Sequence, residues 1–346
     1  MPDGPVPAPR EQGWSRIVLA LAAFLLLPHA PGLPSFLPVV DTLLLLLPAL
    51  AACFVAGWMA GGSLALAVVW AGLAGWLVAL PTPPGTSAAY YDLARGWGLL
   101  VAGAFGVVCL VGRRRPFIHR VLSAVGIAAL VVLLLAGLGG VSLGRSERVF
   151  AGEFATRNAA DAVEMQESAR LLAQYAPSLA DLANRATAQR VAMQDVMTRA
   201  ATPLVPSLLA LEALVACALA WALYHRLSRA RIGAPLAPVS QFAFSDQLVW
   251  ALVAGITMLL LPSLTALQSV GQNLLLFFGT LYAIRGYGIV ASFLTRRAAA
   301  VSVIVAVAIF PLSLVTLPAA VGLGLSDTWF DWRRRGASST APRGGG

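Results

Sequence analysis

The sequence predicts an all-α polytopic membrane protein with about eight to nine transmembrane helices and one extracytoplasmic helical hairpin. Three observations carry this prediction. Of 346 residues, 59% are hydrophobic and 11% charged, where soluble domains carry roughly 25% charged residues. Mean hydropathy is +0.80, so lipid must be the solvent for most of this surface. The apolar residues fall into runs near the length of about 20 residues that crosses a bilayer. One polar stretch, residues 145–202, interrupts them.

Candidate spans lie near 15–29, 37–57, 61–80, 95–112, 118–143, 203–224, 246–267, 272–294 and 299–323. The first could be a secretory signal, since Arg10 and Arg16 precede a short apolar run. A retained span is favoured, because the next run follows after one Pro/Gly-rich turn. Residues 1–144 then form an N-terminal bundle of about five spans. Residues 203–335 form a C-terminal bundle of about four spans ending in an interfacial segment, and 336–346 a disordered tail.

The formal charge is +9, and all 24 Lys+Arg positions are Arg. The arginines cluster in short loops beside apolar runs, which is a topology signal and argues against nucleic acid as a partner. RRRPFIHR at 113–120, HRLSRAR at 225–231 and Arg296–Arg297 should be cytoplasmic, with the N-terminus on the same side. Nine spans would put Arg333, Arg334 and Arg335 outside, against the rule. Pro311 and Pro318 make a kinked or broken last run a credible remedy.

The insert 145–202 holds seven Arg and seven acidic residues, so it is neutral. Ala151, Phe154, Asn158, Ala162, Met165, Ala169, Leu172 and Ala176 recur at helical spacing. Leu179, Leu182, Ala186, Met193 and Val196 continue after Pro177. This pattern predicts two amphipathic helices broken at the proline, about 40 Å tall if straight. The two stripes could bury each other or dock a partner.

No nucleophile elbow, zinc-protease helix, phosphate loop or dinucleotide fingerprint is present, and there is no Lys for Schiff-base chemistry. The chain therefore reads as a non-enzyme with no cofactor and no metal. Cys53, Cys109 and Cys217 lie far apart in apolar runs, and His29, His119 and His225 sit at run ends. Neither set has metal-ligand spacing.

Intramembrane charges are the informative residues, because a charge in a bilayer normally faces protein or a wet cavity. Glu212 and Arg285 sit well inside their runs. They could pair structurally, or line a cavity that binds an anion or relays a proton. Asp246 suits an N-cap, with Ser245 as the other candidate. Asp41 lies near the start of its run. Gln272 and Asn273 read as caps of the eighth run. Gly57–Gly61, Gly72–Gly75 and Gly103–Gly106 have spacings that permit close helix approach.

The segment LGLSDTWFDWRRR, 323–335, ends the last run. Gly322 and Gly324 could end or bend the helix there, and Ser326 or Asp327 could cap a new one. Trp329, Phe330 and Trp332, followed by Arg333, Arg334 and Arg335, read as an interfacial anchor. An anchor does not explain Asp327 and Asp331, which anionic headgroups would repel. They could pair with the terminal arginines or reach inward to Arg285.

FSDQLVWALVAG, NLLLFFGTLYAIRGYGIV and LGLSDTWFDWRRR, in that order, resemble the C-terminal half of the YybS-like polytopic membrane proteins of bacteria. The resemblance is best over 241–335 and covers Asp246, Asn273, Arg285, Gly286, Asp327 and Asp331. It implies a multi-pass protein of the bacterial inner membrane and no catalytic role. PALAACFVAGWMAGGSLALAVV, 48–69, is weakly similar to early spans of substrate-capturing subunits of energy-coupling-factor transporters. Without a nucleotide-binding motif, an ATP-driven role would need separate ATPase subunits.

Three functions are expected to compete. The first is a small-molecule binding or transport component with its site near Arg285 and Glu212. The second is an envelope scaffold docking membrane partners through the hairpin. The third is an enzyme acting on lipid-linked substrates through carboxylates.

Overall fold

The computed structural model describes residues 13–26, 42–112, 115–139, 143–293, 313–330 and 332. Among them there is no strand. Asp41, Asp331, Arg333 to Arg335, the tail and the first part of the last run lie outside the described residues.

The chain divides into two units, Met1–Leu236 and Ala237–Gly346. The first holds α1 (Trp14–Leu26), α2 (Leu43–Met59), α3 (Leu64–Ala79), α4 (Ala88–Val111) and α5 (Phe117–Leu138). It continues with α6 (Leu143–Tyr175), α7 (Ala180–Ala201) and α8 (Val205–Leu227). α2 packs against α3, α4 and α8. The sequence grouped α8 with the C-terminal spans. It packs with α2 instead, and the division falls after Leu236.

The helices start where their chemistry allows. Ser63 is extended and accepts the Leu66 N–H, capping α3. α4 begins after Ser87, whose own side chain caps nothing. Its backbone N–H donates instead to the Glu153 carboxylate at 2.9 Å. A residue from α6 thus does what the glutamate of a capping box does locally. Pro48 sits inside α2 and Pro318 inside the last helix without ending either.

α6 has 33 residues, about 50 Å at 1.5 Å each. It ends at Tyr175, before a short 3-10 turn at Pro177–Leu179, and α7 returns along it. Phe154 and Ala169 of the first stripe are buried. The second stripe is not: Leu182, Met193 and Val196 are exposed, while Gln194 and Thr198 are buried. Asn158 Nδ2 donates to Thr198 Oγ1 at 2.9 Å, and Gln194 Nε2 to Asp161 Oδ2 at 3.3 Å. Each buried polar group has a partner, so its burial costs little. α7 is rotated one residue, about 100°, from the face its apolar residues would choose.

The second unit holds α9 (Val249–Leu260), α10 (Gln268–Phe293) and α11 (Ser313–Phe330). α10 packs against both others. Gly255 and Gly271 face each other's carbonyls where α9 meets α10. Gly286 faces the Ala320 carbonyl and Gly324 the Tyr282 carbonyl where α10 meets α11. A Cβ at any of these would meet backbone, so glycine sets the helix spacing.

Ala88–Val111, Phe117–Leu138, the segment Ala180–Leu227 and Pro262–Ser292 are long and apolar enough to cross a membrane. Trp14–Leu26, Leu43–Met59, Leu64–Ala79 and Asp246–Leu260 are apolar but shorter. Between α2, α3 and α4 lies a cavity of about 510 Å³ bordered by Pro48, Ala51, Ala74, Gly75, Gly103 and Gly106 among other apolar residues.

Candidate functional site

In the second unit, Arg285 is the central charge. Its side chain is 8% exposed. Nε donates to Asp327 Oδ2 at 3.0 Å, and an Nη donates to Asp246 Oδ1 at 2.8 Å. The three residues come from α10, from α11 and from the 3-10 turn before α9. Phe244 lies under the guanidinium at 5.5 Å and packs edge-on against Tyr282 at 5.0 Å. Asp327 is as buried as the arginine, but the Asp246 side chain is 58% exposed. The site is closed on one side and open on the other.

Several sequence expectations change here. Asp246 gives its carboxylate to Arg285, not to a helix start, and Ser245 makes no side-chain cap. α11 runs unbroken through Gly322 and Gly324, so Asp327 caps no new helix. Its Oδ1 accepts the Trp332 N–H at 3.1 Å. Gln272 and Asn273 lie inside α10, where Asn273 Nδ2 donates to the Ser269 carbonyl at 2.8 Å. Trp332 Nε1 donates to Ser326 Oγ at 3.0 Å, so its polar edge turns back to the helix. Trp329 and Phe330 are exposed.

Arg285's carboxylate partners are Asp246 and Asp327, in place of the expected Glu212. Glu212 lies on α8 in the first unit, where Arg157 of α6 belongs to a separate cluster. Arg157 Nε donates to Glu153 Oε1 at 3.1 Å, and its guanidinium covers the Tyr90 ring at 4.7 Å. Phe150 and Phe154 complete the apolar wall with Tyr90 and Val205. Glu153 and Arg157 escaped notice because they stand in the polar insert. Their signal was a Glu–Arg pair at i,i+4 sharing a face with Phe150 and Phe154.

A second unforeseen cluster lies at the other end of α8. Arg120 is buried, donates Nε–H to the Arg115 carbonyl at 3.0 Å and covers Trp221 at 4.8 Å. His225 packs against Trp221 at 4.7 Å and is buried too. Gly233, with φ +72°, carries the following loop past the Arg120 guanidinium. These residues read in the sequence as topology signals and as interfacial. Cys53, Cys109 and Cys217 are buried free thiols. Among the described residues no group of three His, Cys, Asp or Glu could hold a metal ion.

The match that places the chain spans residues 99–328, from mid-α4 through Asp327, and is to a model of predicted membrane proteins. The chain belongs to the DUF2232 family. The family match takes in the three arginine-centred clusters except Tyr90 and Ser87, which lie ahead of it. No curated protein and no solved structure matches the chain. The protein is thus an all-helical member, over its described residues, of a family of predicted membrane proteins, with several helices apolar enough to lie in a membrane.

Proposed function

We propose that this DUF2232 protein is a small-molecule binding or transport component whose site is the Asp246–Arg285–Asp327 triad. The supporting observation is a buried guanidinium held by two carboxylates from two other elements, one of them exposed. Burying such a charge is costly and common at intramembrane polar sites. Two carboxylates already occupy the guanidinium fork. A bound anion would have to displace one of them. The triad's summed charge is −1, so a ligand bringing positive charge, an ammonium group or a proton, suits it better.

Within this proposal the chain crosses the bacterial inner membrane eight or nine times, with a cytoplasmic N-terminus and the α6–α7 hairpin outside. The resemblances to YybS-like proteins and to energy-coupling-factor subunits support it, and the latter would bring ATPase partners. Native mass spectrometry of the protein, purified gently from its own membrane, tests the proposal. A retained small molecule that Asp246→Asn releases while the fold persists is the expected result. Equal retention by the variant overturns the site.

One observation favours a second reading, a scaffold that meets envelope partners through the hairpin. Tyr175, at the end of α6, is 87% and Leu182, at the start of α7, 67% exposed, and Met193 and Val196 are exposed further along the return helix. Deleting residues 146–200 should then remove a stoichiometric partner and leave the membrane helices intact. Unchanged copurification sinks that reading.

A further inference from the structure

The cavity where α2, α3 and α4 meet is a groove of about 510 Å³. Its walls are apolar throughout, between Pro48 and Ala56 on α2, Ala71 and Val78 on α3, and Leu99 and Leu110 on α4. Water inside would find few of the polar partners that hold it in a cavity. Leu99 and Val107 are exposed on the rim, so the groove opens sideways. α4 is long and apolar enough to cross a membrane, and an opening on its flank then meets lipid. From Leu99 to Leu110 the groove follows α4 for about 17 Å at about 1.5 Å per residue. One leaflet contributes about 15 Å of hydrocarbon, half of a core of about 30 Å. At one end the groove reaches Leu110, beside the end of α4, and Ala56, in the last turn of α2.

That end is basic and has no acid to balance it. Gly112 closes α4, and Arg115 Cδ lies 3.5 Å from where a Cβ on it would stand. The Arg115 N–H donates to the Gly112 carbonyl at 2.9 Å, and the Arg115 carbonyl accepts Arg120 Nε–H at 3.0 Å. The backbone is pinned there while Arg115 itself stays exposed. α8 ends at the same place. Its Tyr224 packs edge-on against Phe54 of α2 at 5.2 Å, and Arg226, Arg229 and Arg231 follow in the chain. Between residues 42 and 146 the one carboxylate is Asp92, near the start of α4 and so at its opposite end. Between 213 and 245 there is none. We propose that the groove holds one acyl chain of an anionic phospholipid, with the phosphate at Arg115. Wall chemistry and length select the chain, and the unbalanced arginines select the headgroup. The inference rests on α2, α3 and α4 lying in a membrane and is independent of the Asp246–Arg285–Asp327 triad.

The test uses the full chain in nanodiscs of equal parts phosphatidylglycerol and phosphatidylcholine, with retained lipid read by native mass spectrometry. The wild type should keep phosphatidylglycerol in preference to phosphatidylcholine. Gly75→Leu and Gly103→Leu fill the groove, and a Cβ at either position meets nothing within 4 Å. Leucine is also the better helix former, so both variants should fold. Each should lose the retained phosphatidylglycerol. Arg115→Gln leaves the groove open, so it should still retain lipid. Its preference for phosphatidylglycerol should fall about fivefold, the scale of one basic residue at an anionic surface. Retention by both filled variants equal to the wild type overturns the groove as the site. An unchanged preference in Arg115→Gln overturns the headgroup assignment, and so does a wild type that keeps the two lipids equally. A lipid-free dimer that Gly103→Leu splits into monomers gives the groove to a second copy of the chain, which also overturns the proposal.

Discussion

Arg157 in the first unit and Arg285 in the second are both paired with carboxylates, and the two are satisfied differently. Arg285 divides its fork between two carboxylates at 2.8 and 3.0 Å, with an aromatic ring beneath. Arg157 also lies over an aromatic ring, but its hydrogen-bonded carboxylate is Glu153, and Glu212 Oε2 is left without a donor. The sum is −1 in both clusters. In the C-terminal cluster the excess charge sits on Asp246, which is exposed and can be solvated. In the N-terminal cluster it falls on Glu212, one of whose carboxylate oxygens is closed to solvent and without a donor. The same charge count thus gives a latch in one unit and an unpartnered carboxylate oxygen in the other.

The comparison breaks most visibly at Arg285. Arg285→Met strands Asp327 in the interior, and losing one partner of a buried pair costs roughly 3–5 kcal/mol. The unfolding midpoint in detergent should fall sharply, and Asp327→Asn added to it should recover much of the loss. A double variant no better than the single would show that the pair is not the cause. Next in size is Gly324→Ala. Its Cβ would meet the Tyr282 carbonyl, so α10 and α11 must separate. Overpacking of this kind costs about 1–3 kcal/mol. It should also lengthen the Arg285–Asp327 contact, so Gly324→Ala and Asp327→Asn should be less than additive in midpoint.

The helices were legible in the sequence because a span is a property of one run of residues. The triad was half legible. Arg285, Asp246 and Asp327 each stood out as a charge beside hydrocarbon, but capping explained Asp246 well and Glu212 seemed a better-placed partner. Which carboxylates reach Arg285 depends on how closely α10 and α11 approach. That is set by Gly286 and Gly324, whose role is invisible until a neighbouring backbone is placed against them. Glu153 and Arg157 were hidden for the opposite reason: charges in a polar helix raise no question. The rotated face of α7 was missed because an apolar stripe was weighed without asking whether Gln194 and Thr198 had partners across the hairpin.

A smaller effect is expected at Glu153. Glu153→Gln removes the charge from its bonds to Ser87 N–H and Arg157, with a cost of about 1–3 kcal/mol. Exchange protection should drop at the start of α4 and not at Arg285's helices. An equal drop in α10 would show that the loss is global and the cap incidental.

The smallest effect sharpens the contrast inside the hairpin. Burial raises the Asp161 carboxyl above its usual value, with Glu164 adding to the rise and the Gln194 hydrogen bond opposing it. A carboxyl whose folded value is raised binds its proton more tightly folded than unfolded. Its favourable contribution is therefore full below the unfolded value and is lost as pH rises through the folded one. Above that window a constant penalty remains. The hairpin should be slightly more resistant to unfolding in acid than at neutral pH on this account, opposite to the usual trend for paired carboxylates. Asp161→Asn carries no charge and keeps an acceptor for Gln194. It should remove that component of the pH slope and match the wild type only at the acid end. Protease cleavage near Pro177, measured across the acid range, reads this directly. A slope unchanged by the substitution would assign the acid resistance to another carboxyl, with Glu164 the first to replace.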